Sequence, residues 1–500
     1  MKAKLHLLAF WVFATLAALP VAGQTSNTFT ILYQFNSTTG EGVQSGGDLA
    51  LGPDGQSLYG TCFANGYNGV GTIFVLTPNG SGGYTHQDLY SFAGGTNDGG
   101  NPYAGLTWYS NAFWGTTQTG GSNGFGTVFS FNPDPVPEHT VDGMTYAEYE
   151  AKAKLEASKQ QPDAGLFGNS AGGGPTSEKG AVFSVTDEDL SVVLGFDGFG
   201  SDGGVAPSGA LAIEDIGEEG SKIRPHSGSS SQGTNVDLSK IILYGVTQSG
   251  GSNNWGTIYK VQADGSNFVV LHECDLIPSD GATPVGGMVL SGGVLYGTAS
   301  GGGSNYNGVV FKINTDGTGY QNLFSFNYAT TGDAPEGDLI LVGNTLYGMT
   351  YVGGVGGGGT VFSIDTSGQN FTLLYSFSSP MYDGSGNYTN SDGGYPLAGL
   401  LYNNYTLYGL TPHGGPTGGG TAFAIKLPAP PSLAVATSPT NLTLSWPSSA
   451  SNYMLQTTPD LSGPWTNYTG LVSNDGTNMN AAIATAGSNA FFRLLSTNGP

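Results

Sequence analysis

One short phrase is written six times along this chain. A triplet "LYG" or "FWG" ends at Gly60, Gly115, Gly245, Gly297, Gly348 and Gly409, and a second glycine follows eleven positions later in every copy, at Gly71, Gly126, Gly256, Gly308, Gly359 and Gly420. The second glycine opens a strand-like run: "GTIFVL", "GTVFSF", "GTIYKV", "GVVFKI", "GTVFSI" and "GTAFAI". A glycine loop that cradles a phosphate serves one ligand and is written once. Six copies in register define a structural unit, so these glycines belong to the fold. A seventh, eroded copy is read at "LFGNSAGGGPTSEKGAVFSV", where Gly168 to Gly180 is one residue longer.

Each unit holds two further pieces. One reads "LYSF" at Leu89 and Leu374, "LFSF" at Leu323 and "LYQF" at Leu32, with degenerate forms at Val193 and Val270. The other follows a recurring "DGxxPxxGL", as in Asp98 to Leu106, Asp280 to Met288 and Asp392 to Leu400. Turn pairs such as Asp-Gly and Ser-Gly separate the pieces. Four short strands in about 50 residues are the sequence signature of a propeller blade. The fold expected is therefore all-β: a β-propeller of six blades, or seven if the eroded copy counts, over residues 29–426. The first piece, Phe29 to Phe35, is an isolated third-type strand, and the last repeat stops at "GTAFAIKL" without one. One blade is then completed from both ends, which leaves no open edge. The 85 glycines and 26 prolines fill turns, while 38% hydrophobic and 11% aromatic residues keep the chain out of the disordered class.

Two insertions break the period, near 135–179 and 213–240. The first contains "TYAEYEAKAKLEASKQ", rich in helix formers; the second reads as a flexible loop. A proline-rich linker, 427–432, leads to residues 433–498, whose alternating strands and Trp446 suggest a small fibronectin-III or immunoglobulin-like β-sandwich. At the other end, two lysines, an apolar run from Leu5 to Val21 and the small residues Ala22 and Gly23 make residues 1–23 a secretory signal peptide. The mature chain is expected outside the cell or on its surface, without a membrane span. Losing Lys2 and Lys4 takes the formal charge from -23 to -25, which argues against nucleic acid as a partner. Cys62 and Cys274 fall in different repeats, Cys274 where others carry a core phenylalanine, and are expected unpaired.

These motifs ("LYGTT", "GG", "GTVF", "LYSF" and "DGxxPxAGL") resemble the GloVer tandem repeat of bacterial exported proteins, also known as choice-of-anchor proteins. The resemblance covers roughly residues 29–426. It implies an extracellular or surface location, often with a C-terminal anchor, and no established activity. The chain departs from the anchored pattern by ending "RLLSTNGP", so the sandwich is the expected attachment module.

No "HExxH", "CxxC" or sialidase "SxDxGxTW" pattern is present. The recurring Asp98, Asp202, Asp280, Asp333 and Asp392 are read as turn-holding residues that could at most form weak calcium sites. The loops before the second glycine carry Tyr67, Phe125, Trp255 and Tyr306 beside asparagines, a combination suited to stacking on sugars. The chain is thus expected to be a monomeric, non-enzymatic scaffold that binds an extracellular glycan or protein and needs no cofactor, calcium being the one candidate. The alternative is a polysaccharide-active propeller enzyme with its site at the channel mouth.

Overall fold

The computed structural model describes residues 27–133 except 110, 111, 123 and 125, then 166–170, 181–185, 190–195 and 205–216. It also describes 238–496 except 385, 430, 438–440, 451–452, 460–464 and 485–490. The signal peptide expected at 1–23, the helix expected at Thr145 to Gln160, Asp202 and Phe125 lie outside the described residues. The chain divides into two compact units, Asn27–Leu427 and Pro428–Asn498.

The protein is all-β. In the larger unit, where all four pieces of a repeat are described, they form one antiparallel sheet in the order in which the chain writes them. Ala50–Leu51, Leu58–Cys62, Thr72–Pro78 and Tyr84–Ser91 make the first sheet, and Val289–Ser291, Val294–Ala299, Val309–Asn314 and Gln321–Ser325 the fifth. The fourth (Val205–Asp215 to Val269–Glu273) and sixth (Ile340–Val342 to Thr372–Ser378) repeat the order. The second sheet is described through Thr107–Tyr109, Ala112–Gly120 and Val128–Phe131. The eroded copy makes a sheet of its own from Leu166–Ser170, Ala181–Val185 and Leu190–Gly195. In the seventh sheet, Leu401–Asn403, Thr406–Thr411 and Thr421–Lys426 are completed by Thr28–Gln34, which pairs antiparallel from Thr28 opposite Lys426 to Gln34 opposite Thr421. The second insertion starts later than expected, because Ile213, Glu214 and Asp215 are paired strand residues opposite Leu243, Ile242 and Ile241.

The two signature glycines have separate steric causes. The first lies under the aromatic ring of the facing strand: a Cβ on Gly60 would stand 2.6 Å from the Phe74 ring, and on Gly409 2.4 Å from Phe423. The second needs a left-handed backbone, with φ +99° at Gly71 and +97° at Gly420, and a Cβ there would press on the carbonyl of Cys62 or Thr411. Between them sits a buried hydroxyl pair, Thr247 with Thr257 at 2.8 Å, Thr350 with Thr360 at 2.8 Å and Thr411 with Thr421 at 2.9 Å. In the fifth sheet both members change together, to Ala299 and Val309, which are fully buried. In the first sheet Cys62 stands opposite Thr72 in that place. Cys274 stands where Phe92 and Phe326 stand, its N–H reaching the carbonyl of Gly256 as theirs reach Gly71 and Gly308. Both cysteines are free and buried.

Apolar cores form between consecutive sheets. Tyr59, Ile73 and Phe92 pack with Phe113 between the first and second, Phe311 and Ile313 with Tyr244 and Ile258 between the fourth and fifth, and Phe326 with Phe362 between the fifth and sixth. Met349 and Phe377 pack with Leu407 and Phe423 between the sixth and seventh. The same contact joins the seventh to the first, where Leu410 and Ala422 share a core with Leu32, Phe35, Leu58 and Phe74. Ring stacks follow the same path: Phe371 on Phe324 at 3.9 Å, Phe29 on Tyr375 at 3.7 Å, and His86 on Tyr33 at 5.1 Å.

A backbone clip fastens each "DGxxP" segment to the preceding repeat. The residue before the proline position adopts a left-handed φ of 53–60° at Gln44, Asn101, Thr283, Ala334 and Tyr395. Its N–H donates to the residue before the previous repeat's second glycine: Asn101 to Val70, Thr283 to Trp255, Ala334 to Asn307, Tyr395 to Gly358, and Gln44 to Gly419. The last of these again joins the two ends of the unit.

The smaller unit has two antiparallel sheets, one with Ala434–Thr437, Asn441–Pro447, Asn478–Ala484 and Val472–Asn474, the other with Thr466–Asn467, Tyr453–Thr458 and Phe491–Ser496. Leu444, Trp446, Leu455 and Ala481 form its core.

Candidate functional site

The recurring carboxylates serve their own turns. Asp98 accepts from the Tyr90 hydroxyl at 2.8 Å and from the backbone N–H of Ala93 and Gly99, both at 2.7 Å. Asp392 accepts from Tyr375 at 3.0 Å and from the N–H and hydroxyl of Ser378. In Asp280 the partner is His272, whose Nε2 lies 2.9 and 3.0 Å from the two oxygens, with Gly281 N–H at 2.7 Å. Glu41, with no "DG" to announce it, takes the same place and accepts from Tyr33 at 2.9 Å.

Asp333 is not the equivalent of these residues. Thr331 occupies the aspartate's place, since its carbonyl accepts from the Thr360 hydroxyl as that of Asp392 does from Thr421. The proline there comes two residues after the aspartate instead of four, and the facing strand carries Phe324 where the others carry tyrosine or histidine. Asp333 therefore stands two positions nearer the proline, and burial pushes its carboxyl up. Among the described residues no three histidine, cysteine or acidic side chains converge as a metal site.

The aromatic loop residues stand apart, one per repeat. Tyr67 is 91% exposed, Tyr306 53% and Trp255 37%. They occupy three different loop positions, four, two and one residue before the second glycine. Their asparagine neighbours are spent on backbone groups of the same repeat: Asn68 donates to Phe92 O at 3.1 Å, Asn305 to Phe326 O at 2.9 Å, and Asn254 accepts from Gly250 N–H.

Unlike groups from several repeats come together elsewhere. Tyr351, Tyr395, His413, Tyr388 and Tyr382 form a continuous row, with consecutive ring centroids 5.5, 5.8, 5.6 and 5.6 Å apart. Tyr382 and Tyr388 come from the hairpin Met381–Tyr382 and Tyr388–Thr389, and burial lowers the pKa of His413. Beside the row is a cleft of about 480 Å³ lined by Thr38, Gln44, Asn65, Asn387, Tyr388 and His413 among others. The Gln44 carbonyl accepts from Phe63 N–H, and Phe63 meets Tyr103 edge-on at 6.1 Å. Burial raises the phenols of Tyr103 and Tyr351, and the charge of Glu336 adds to both. Its own carboxyl is raised by burial and by Asp333.

Below this face, the inner segments of the repeats approach closely. Asp48 accepts from Gly399 N–H, and Asp338 accepts from Gly287 and Ala210 N–H. A Cβ on Gly399 would lie 2.8 Å from Asp48 Oδ2 and 3.1 Å from Asp338 Cβ, so the two acids flank one glycine. Burial and the charge of Asp338 push Asp48 up to about 7, and burial raises Asp338.

Residues 20–236 match the Gloeobacter/Verrucomicrobia repeat family, which supports reading the chain as a repeat protein of that kind. No curated protein matches the sequence. Among solved structures, the chain is similar to a nidogen/laminin complex (15% identity over 53% of this chain and 82% of that chain, TM-score 0.30). It is also similar to a puromycin hydrolase mutant (11%, 86% and 53%, TM-score 0.38) and to an oligogalacturonate lyase in complex with manganese (10%, 81% and 98%, TM-score 0.38). This chain thus spans about half of the puromycin hydrolase.

The sequence had marked the loops by composition, whereas the row is built from positions where the repeats differ. Tyr103 and Glu336 follow the recurring proline and Tyr395 precedes it. Length carried the available signal: Phe92 to Asp98 is six residues and Phe377 to Asp392 fifteen, which makes room for the added hairpin.

Proposed function

We propose that residues 27–427 close as a seven-bladed β-propeller whose aromatic cleft binds a glycan, and that the protein works outside the cell as a non-enzymatic binding scaffold. Seven sheets in chain order, with cores and clips that join the last to the first, support the ring. The smaller unit is then a fibronectin-III-like spacer or docking module.

The observation that carries the binding reading is the row of four tyrosines and a histidine beside a cleft with Asn65, Asn387, Gln44 and Thr38. Flat rings match the apolar faces of pyranoses, and amides and hydroxyls match their hydroxyl groups. The site moves accordingly, from the separate loop tips of Tyr67, Trp255 and Tyr306 to one cleft. A glycan array on the mature protein tests this. Binding that is lost in Tyr388→Ala and Tyr395→Ala but kept in Tyr67→Ala supports the cleft. Binding lost in Tyr67→Ala alone returns the site to the loops, and cleavage of a bound oligosaccharide replaces the scaffold with a polysaccharide-active enzyme.

A further inference from the structure

We infer that a glycan bound in the cleft holds the larger unit closed, because the two walls of that cleft come from opposite ends of the unit's chain. The inference rests on the glycan reading above and adds a coupling between binding and the integrity of the fold.

The cleft of about 480 Å³ lies across the seam where the seventh sheet meets the first. On one side stand Ser37, Thr38 and Gln44, from the stretch after the first strand, with Asn65, whose strand Ala64–Asn65 pairs with Gly42–Val43. On the other stand Tyr388, from the added hairpin, and His413, from the loop between Thr406–Thr411 and Thr421–Lys426.

The seam is the junction with the least covalent support. The chain links the seventh sheet to the first only through Thr28–Gln34, and that strand is an edge strand, held in the seventh sheet by its pairing with Thr421–Lys426 and by side-chain packing. Beyond the strand, Ser37 and Thr417, 380 positions apart, share two hydrogen bonds, from Ser37 Oγ to the Thr417 carbonyl at 2.7 Å and from Ser37 N–H to the Thr417 hydroxyl at 3.2 Å. The Thr417 hydroxyl donates to Phe35 O at 3.2 Å, and Gln44 N–H to Gly419 O at 3.1 Å. Neutral bonds beside an open cleft add little net stability, because water replaces them when they break. A terminal edge strand held in this way opens at a lower cost than the strands of a continuous sheet.

Opening the seam takes the cleft apart. When Thr28–Gln34 leaves Thr421–Lys426 and the Gln44 to Gly419 clip breaks, Ser37, Thr38, Gln44 and Asn65 go with the first sheet, while Tyr388 and His413 stay with the seventh. A glycan that touches both walls therefore binds the closed form alone. Linkage fixes the consequence: the bound glycan lowers the open population by the factor by which its concentration exceeds its dissociation constant. The coupling is reciprocal, so a change that loosens the seam also weakens binding.

Hydrogen exchange read by mass spectrometry on the full mature chain tests this. The probes are cellohexaose, maltohexaose and the hexamer of N-acetylglucosamine, with the affinity of each first measured by titration calorimetry. In the free protein the amides of Thr28–Gln34 should exchange ahead of those of Gln321–Ser325, the strand in the equivalent place of the fifth sheet. A hexaose present at about one hundred times its dissociation constant should slow the Thr28–Gln34 amides about 100-fold. Tyr388→Ala at the same hexaose concentration should restore the free rate. First-strand amides that exchange no faster than those of Gln321–Ser325 in the free protein, or that keep their free rate with a hexaose bound, overturn the coupling and leave the glycan reading standing. If none of the three hexaoses binds, the glycan reading falls and the coupling falls with it.

Discussion

Asp48 should make this protein less stable as the solution becomes more alkaline between about pH 4 and pH 7. Its carboxyl is enclosed beside Asp338, keeps only part of its surface open to water, and is pushed up to about 7. In the unfolded chain it returns to the ordinary carboxylate value, about 3.9. Between those values the folded state binds the extra proton, so the stabilisation is complete below the unfolded value and is lost as pH rises through the folded one. The slope for one proton is about 1.4 kcal/mol per pH unit. Water reaching the pair reduces it, leaving a total loss on the order of 2–4 kcal/mol across the window. Asp54, Asp264, Asp316, Asp365, Asp475 and Glu273 are shifted the other way, by turn N–H and hydroxyl donors. Their stabilisation is lost as pH falls through their lowered values, so it is already complete above about pH 5. Asp48→Asn keeps the acceptor for Gly399 N–H and removes the charge. Urea midpoints followed from pH 4 to 9 should fall steadily to neutrality in the wild type and less steeply in the variant, where Asp338, Asp333 and Glu336, raised by burial, still contribute, with Asp48→Asn the more stable protein at pH 8. A wild-type profile flat from pH 5 to 8, or a variant that keeps the full slope, refutes the assignment.

The hydroxyl pairs behave as units. Thr350→Ala should cost about 1–3 kcal/mol by removing the hydroxyl that accepts from the Thr360 N–H and pairs with its hydroxyl, while adding Thr360→Val should recover part of that, as the natural Ala299 and Val309 pair implies; strict additivity in a double-mutant cycle would contradict it. Phe29→Ala removes the stack on Tyr375 and should cost about 2–3 kcal/mol in denaturant unfolding, close to the cost of Phe371→Ala in the equivalent stack; a loss below about 0.5 kcal/mol would mean the first strand contributes little. Tyr306 has φ +61° at a position where Asn254 and Gly418 stand in other repeats, so Tyr306→Gly should raise stability by up to about 1 kcal/mol, and a decrease would show that the ring contributes packing. Neither Cys62 nor Cys274 should react with a thiol reagent until the protein unfolds, burial having raised both thiols.

Much of the architecture was readable because a repeat samples one steric problem many times. Two glycines at fixed spacing announced a ring lying over one backbone and a left-handed turn beside another, and those causes hold at Gly60 and Gly71 alike. The completion of the last sheet by Phe29 to Phe35 was legible as a strand missing from one end and present at the other. Asp333 was misplaced because "GDAP" imitates "DGGxP" by letter, and only the hydroxyl contact at Thr331 reveals the shift. The candidate site escaped for the opposite reason. Tyr103, Glu336, Tyr395 and His413 are departures from the repeat, and nothing in one sequence says which departures face each other.

The pairing of Thr28–Gln34 with Thr421–Lys426 also sets an order of events. A chain made from its N-terminus produces one partner first and the other nearly 400 residues later, so the two edges wait through almost the whole of synthesis. Closing so long a loop costs on the order of 5 kcal/mol of chain entropy, regained only when the last sheet and the Gln44 to Gly419 clip form together. The seam is therefore the last part of the larger unit to assemble. Until then the Thr421–Lys426 edge is a template for the first strand of another copy, which makes strand exchange between neighbouring molecules the characteristic error of this fold at high concentration.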